Sequence, residues 1–134
     1  MIDLMDERIV KAILETMPAE ITVIDAKDEV IGWNKDETRI FKRAPSALQL
    51  NFRSCHPKES LWKVEGIVDE LRSGKRDKAR FWIDLPLGEG GATHKVLIEF
   101  FALRDRDGSY LGCLEYTRDI EDERGLEGER RLLD

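Results

Sequence analysis

The N-terminal part of the chain has apolar residues at helical spacing. They recur every three or four positions over residues 5–17, and Pro18, which cannot continue a helix, follows them. The set comprises Met5, Ile9, Val10, Ile13, Leu14 and Met17. This pattern predicts an N-terminal helix with one apolar face that needs a cover.

Two short runs of strand-forming residues come next. Residues 21–25 and 30–33 are separated by the polar segment 26–29, which predicts a β-hairpin. Asn34 ends the second strand and can cap a short helix over residues 35–41. Residues 45–50, which begin with a proline, predict one further helical turn.

The clearest helix signal begins at His56 and Pro57. Proline suits the first helical position, because the N–H that it lacks would have no partner there. Five apolar residues follow at helical spacing, namely Leu61, Val64, Ile67, Val68 and Leu71. Gly74 then lies where a C-terminal cap is expected. The pattern predicts a long helix with one apolar face.

Three strands are predicted in the second half of the chain, at residues 79–85, 95–104 and 110–118. Residues 105–108, Asp-Arg-Asp-Gly, form a strong hairpin turn between the last two strands. The tail from residue 121 has the charge pattern of a helix, although its glycines each cost about 1 kcal/mol relative to alanine.

Charged positions in these strands predict which face is wet, and the alternating positions are then expected to face the interior. Charges occur at Asp84, Lys95, Glu99 and Glu115. The residues predicted to face inward are Phe81, Ile83, Leu85, Val96, Ile98, Phe100, Ala102, Gly112, Leu114 and Tyr116. The opposite face keeps an apolar patch of Leu97, Phe101 and Leu103, which we expect the N-terminal helix or a second subunit to cover.

Composition narrows the possible classes of protein. The 134 residues are 41% hydrophobic and 37% charged, with a net charge of −6, as in one soluble globular domain. The acidic balance argues against nucleic-acid or anionic-membrane partners, and no apolar run approaches the roughly 20 residues of a membrane span. We therefore expect a cytoplasmic protein. The two cysteines, Cys55 and Cys113, do not suggest a disulfide framework, and two histidines are too few for a catalytic metal held by several imidazoles.

The order of elements, together with the segments 30–34 (Val-Ile-Gly-Trp-Asn) and 117–120 (Thr-Arg-Asp-Ile), resembles a PAS domain. Residues 51–57, 81–85 and 110–112 resemble, more narrowly, the C-terminal PAS domain of uncharacterised hemerythrin-containing bacterial proteins. The resemblance implies an α+β fold. It has a five-stranded antiparallel sheet with short helices on one face and an N-terminal flanking helix. It divides the chain into a helix over 1–18, a PAS domain over 19–120 and a charged helical tail over 121–134.

In a PAS fold the inward face of the sheet meets the long helix and can enclose a ligand cavity. The residues predicted to line that cavity are Trp33, Phe41, Cys55, His56, Trp62, Phe81, Ile83, Val96, Ile98, Phe100 and Leu114. Such a set favours a flat or apolar ligand. The same residues can also form a filled core, since apolar strand faces usually just pack.

His56 is the candidate metal ligand. PAS haem sensors place their proximal histidine in this region, and imidazole is a good axial ligand for haem iron. The alternative is that the ring only caps the helix. Haem is therefore the cofactor prediction, with His56 as its iron ligand.

Cys55 offers a second kind of chemistry, since a helix N-terminus favours a thiolate. Photoactive yellow protein, another PAS protein, attaches its chromophore to a cysteine at a similar place, and Glu37 and Arg43 fall where that family has an acid and an arginine. Trp33, however, stands where that family needs a tyrosine. The flavin-binding LOV pattern is absent, because residues 51–55 lack its Asn-Cys-Arg order. A small packed residue is the plainer interpretation of Cys55.

Two functions follow from these residues. The first is a ligand-sensing signalling domain, with a haem-based gas or redox sensor as its specific form. The alternative is a ligand-free interaction module that forms a homodimer. An enzyme is not expected, because the sequence offers no recognisable pair of a nucleophile and a base.

Overall fold

The computed structural model describes residues 1–133. Its helices are α1 (Glu7–Thr16) and α2 (Lys58–Ser73). Its strands are β1 (Glu20–Asp25), β2 (Val30–Trp33), β3 (Lys78–Leu85), β4 (His94–Arg104) and β5 (Tyr110–Asp119). Short 3-10 turns occupy Pro45–Ala47, Phe52–Ser54, Glu89–Gly91 and Glu123–Gly125.

The five strands form one antiparallel sheet in the order β2-β1-β5-β4-β3. The predicted α+β fold and the β3-β4-β5 meander are confirmed. The turn between β4 and β5 forms as predicted, because Gly108 adopts a φ of 85° and the Asp105 carboxylate accepts hydrogen bonds from the N–H groups of Asp107 and Ser109.

The core lies between α2 and the inner face of the sheet. Val68 and Leu71 of α2 are 1% and 0% exposed, and Val96 of β4 is 0% exposed. Each such side chain contributes about 1.5–3 kcal/mol by leaving water. Gly74 ends α2 in the left-handed conformation, with a φ of 81°, as its position in the sequence predicts.

Asp28, in the turn between β1 and β2, ties the hairpin to the helical side of the molecule. Its carboxylate accepts hydrogen bonds from Arg53 (3.0 Å) and from Arg72 of α2. Its carbonyl oxygen accepts a hydrogen bond from the Phe52 N–H. These contacts hold Phe52 against the end of the core.

A β-bulge changes the orientation of β5. Pairing between β4 and β5 shifts by one residue between Leu103 and Arg104, so that Tyr110 and Cys113 both pack against the core. The prediction that Gly112, Leu114 and Tyr116 face inward is therefore wrong. The inner residues of β5 are Cys113, Glu115 and Thr117, while Leu114 lies opposite Phe101 on the outer face.

The predicted helix over residues 35–41 is absent, and a turn and an irregular segment take its place. Lys35 has a φ of 51°, which is outside the right-handed helical region. The Glu20 carboxylate accepts hydrogen bonds from the N–H groups of Ile40 and Phe41, so these groups are not available to a helix. A long-range side chain thus overrides the local helical pattern.

The two flanking segments differ from expectation in different ways. Helix α1 forms, but none of its residues is buried. Leu97 of the outer sheet patch is only 5% exposed, so this residue is already covered within one chain. In the tail, only Glu123–Gly125 forms a 3-10 turn, and residues 126–133 are not helical. Gly125 and Gly128 explain why the tail lacks the predicted helix, because glycine weakens a helix. The domain boundaries 1–18, 19–120 and 121–134 stay a prediction.

Candidate functional site

A cavity of about 30 Å3 lies between the inner face of the sheet, α2 and the segment that precedes α2. Its apolar wall consists of Ile24, Val30, Ala47, Phe52, Val64, Val68 and Phe100. The remaining lining residues are Thr22, Arg43, Cys55, His56, Cys113 and Glu115. The space is enough for about two water molecules, at roughly 10–15 Å3 each.

The sheet and the loop after β2 together build a polar end of the cavity. Thr22 of β1 and Glu115 of β5 are directly opposite each other in the ladder, so both side chains point to the same face. Arg43 reaches them from the loop, with its Nη2 3.2 Å from the Glu115 carboxylate and its Nε 3.4 Å from the Thr22 hydroxyl. Burial raises the pKa of Glu115, although the guanidinium groups of Arg43 and Arg39 oppose that effect.

His56 and Cys55 also line the cavity, and both are half-buried. Burial, together with the charge of Arg43, lowers the pKa of His56, which favours the neutral ring. The ring packs edge-on against Phe52, with 6.3 Å between centroids. His56 does not cap α2, since the N-cap is Pro57 and no side chain bonds to the helix start there.

Cys113 closes the cavity floor beside Phe100. Burial raises the pKa of its thiol to about 12, so the thiol is protonated at neutral pH. Cys55 is only half-buried, and its Sγ lies 3.9 Å from the Asn51 carbonyl oxygen. The two thiols are therefore in different environments within one site.

The structure brings only part of the predicted site together. Cys55, His56 and Phe100 line the cavity, whereas Val96 and Ile98 belong to the solid core and Trp33, Phe41 and Phe81 pack at its edges. Three other predicted residues lie elsewhere. Trp62 is 69% exposed, Ile83 on the edge strand β3 is 37% exposed, and Leu114 is on the outer face.

Sequence reasoning missed Thr22 and Glu115 of the polar end, whereas the resemblance to photoactive yellow protein had pointed to Arg43. The charge of Glu115 predicts a solvent-facing position, because charged residues are mostly exposed, but in the structure Glu115 lines the cavity. A signal was available, because both alternating faces of β5 are partly apolar, so Glu115 alone does not identify the wet face.

Residues 1–133 contain neither a cluster of metal-ligating side chains nor a helix that could span a membrane. Within this described part, no three His, Cys, Asp or Glu side chains are grouped as a metal site. None of the helices in it has the length and apolar character needed to cross a bilayer.

A sequence model described as the PAS domain matches residues 10–121. The chain therefore belongs to the PAS domain family. PAS domains are generally sensory or interaction modules rather than catalysts. No curated protein matches the chain.

Solved structures agree with this assignment. A C-terminal domain from Streptococcus mutans is 31% identical, with a TM-score of 0.82 over 92% of this chain and 91% of that one. The PAS domain of a protein from Colwellia psychrerythraea is 16% identical, with a TM-score of 0.61 over 86% and 97%.

A third similar structure is a complex of VqmA from Vibrio cholera with a ligand and DNA. It is 12% identical, with a TM-score of 0.61 over 98% of this chain and 63% of that chain. The last two structures are similar in fold alone. The narrower resemblance to PAS domains of hemerythrin-containing proteins stays a prediction.

Proposed function

We propose that this chain is a sensory PAS domain that binds a small molecule in the cavity between α2 and the sheet. The observation that carries the proposal is the composition of the cavity wall, which is apolar except for one polar end of convergent side chains. Ligand sites in proteins have this character, with a few placed polar groups in an apolar surround. The VqmA complex, which has a similar fold, contains a ligand.

The size of the cavity limits the ligand. At about 30 Å3 it is far below the roughly 300–1,000 Å3 of sites for drug-sized ligands. A ligand of a single ring must displace side chains on the half-buried side at Cys55 and His56. The proposal therefore concerns a small molecule that opens the site from that side.

Haem fits this cavity poorly. His56 lies at the wall with the neutral ring that iron ligation needs, but a porphyrin cannot enter about 30 Å3 without moving α2 away from the sheet. The prediction that His56 ligates haem can be tested by adding hemin and recording the Soret band. A band that His56→Ala abolishes and His94→Ala preserves supports it, and a spectrum of free hemin contradicts it.

The test of ligand binding uses NMR on the 15N-labelled protein with three probes: toluene, 2-pyridone and benzoate. We expect at least one probe to shift the amide signals of Phe100 and Cys113. Val64→Phe fills the cavity and should abolish these shifts, whereas Val10→Phe on the exposed face of α1 should not. Absence of shifts with all three probes, or equal binding by the Val64 variant, contradicts the proposal.

Homodimerisation through α1 is the second candidate function, favoured by the exposure of that helix. Ile9, Val10 and Ile13 are 50%, 41% and 44% exposed, and a groove of about 560 Å3 lies between α1 and β1–β2. A second copy of the chain is the occupant that we propose for this apolar surface.

Light scattering at high protein concentration tests the dimer. Ile9→Glu together with Ile13→Glu should convert a dimer to a monomer, because both changes place charge on the apolar stripe. Arg8→Glu, on the same helix, is the matched control and should leave the dimer intact. A wild-type monomer at high concentration contradicts this function.

A further inference from the structure

Two arginine–glutamate pairs lie side by side between the β2–α2 loop and the sheet, and the first is saturated with hydrogen bonds. Arg39 and Glu20 are 2% and 4% exposed, with 3.0 Å between Nη2 and Oε2. The other acceptors of Arg39 are the carbonyl oxygens of Ile21, Asn34 and Phe41 and the Thr22 hydroxyl. Glu20 in turn accepts from the N–H groups of Ile40 and Phe41. This first pair has little capacity left for a ligand.

The second pair, Arg43 and Glu115, is not saturated. Each side chain is 16% exposed. Besides the hydrogen bond between them, the pair makes only one more, from Arg43 Nε to the Thr22 hydroxyl. A guanidinium has five N–H donors and a carboxylate has about four acceptor positions. Within residues 1–133, Arg43 Nη1 and Glu115 Oε1 have no hydrogen-bond partner, and both residues line the cavity. The cavity wall thus contains a donor and an acceptor with spare hydrogen-bonding capacity, on two side chains that already contact each other.

The charges of this pair cancel. A ligand with a net charge would add an unpaired charge to a partly dehydrated wall, whereas a neutral ligand leaves the pair balanced. We propose that Arg43 and Glu115 select a neutral ligand whose hydrogen-bond acceptor and donor are bonded to the same carbon, as in a lactam or a primary amide. The acceptor receives a hydrogen bond from Arg43, and the donor gives one to Glu115. This inference rests on the proposed ligand-sensing function.

Anionic ligands are the competing class, and a change at Glu115 distinguishes neutral from anionic ligands. A carboxylate bound to Arg43 would face the negative charge of Glu115, unless Glu115 took up a proton. Glu115→Gln removes that negative charge and keeps the shape of the side chain. The variant should therefore weaken a lactam, which loses a charged acceptor, and strengthen a carboxylate.

The experiment titrates the 15N-labelled full chain with 2-pyridone, benzoate and toluene, three rings of similar size, and reads dissociation constants from the Cys113 amide signal. We expect 2-pyridone to bind roughly tenfold more tightly than benzoate or toluene, the gain of one charged hydrogen bond. Glu115→Gln should reduce that preference by a similar factor. Glu99→Gln, a change of the same type on β4, where Glu99 alternates with the inner residues, should not.

Arg43→Met is the second variant if Glu115→Gln does not fold, and it should remove the 2-pyridone preference while leaving toluene binding unchanged. Tighter binding of benzoate than of 2-pyridone by the wild type overturns the inference. So does a preference that survives both variants. If toluene binds and 2-pyridone gains nothing, only this inference fails. If no probe reaches the cavity, the proposed function fails with it.

Discussion

Replacing Arg39 and Arg43 separately by methionine should have very different effects on stability. Arg39→Met leaves the buried Glu20 carboxylate without its cation and also frees several carbonyl acceptors. Breaking one side of a buried ion pair costs about 3–5 kcal/mol. Arg43→Met breaks a pair that is 16% exposed on each side and has fewer hydrogen bonds, so about 1 kcal/mol is expected.

Urea unfolding followed by tryptophan fluorescence and circular dichroism measures both variants. With a slope of about 1–3 kcal/mol per molar urea, the Arg39 variant should lower the midpoint by about 1 M or more, and the Arg43 variant by less than about 1 M. A loss of stability as large for Arg43→Met as for Arg39→Met would refute the division into a structural pair and a pair proposed to bind a ligand. Equal slopes in the two variants are needed for the comparison.

Two further predictions concern the frame of the site. Gly112→Ala should destabilise the protein by about 2–6 kcal/mol, because a Cβ would lie 2.1 Å from the Ile24 carbonyl oxygen and the φ of 151° is strained for alanine. Gly66→Ala on the open face of α2 is the control and should stabilise the protein by about 0.5–1 kcal/mol. Thermal unfolding measures both variants, and equal effects contradict the geometry. The hydrogen bond to Asp119 raises the pKa of His94 in the folded protein. The stability gained from this pair is complete below the unfolded pKa of about 6.5, and it is lost as the pH rises through the higher folded pKa. His94→Asn should remove that decline in melting temperature above about pH 6.5, and an unchanged pH profile would show that the pair does not contribute.

The regular elements could be predicted because their signals are local. Alternating residues, the Asp105–Gly108 turn and the cap at Gly74 depend on neighbours in sequence, and the structure has them where they were expected. The segment 35–41 could not be predicted this way. Its backbone is held by the Glu20 carboxylate, which is about twenty residues away along the chain.

The cavity was predicted only in part, for a related reason. Strand alternation predicts Phe100 in its wall, whereas Cys55 and His56 were predicted from their position at the start of the long helix and from the resemblance to PAS sensors. Its polar end depends on the orientation of β5, which the bulge near Leu103 and Arg104 sets. A bulge changes which residues face inward without a strong pattern in the sequence.

β1 leaves the ribosome before the other strands and β5 leaves after them, yet the two pair with each other within the sheet. The polar end of the cavity, which joins Thr22 to Glu115, therefore cannot assemble until β5 has been synthesised. The β3-β4-β5 meander has closer partners in sequence and can form first, since local contacts form faster than distant ones. Until β5 is available, β1 and β2 present an unpaired edge, the kind of surface on which nascent chains associate wrongly. Completion of the polar end of the cavity and protection from aggregation are thus the same step in folding.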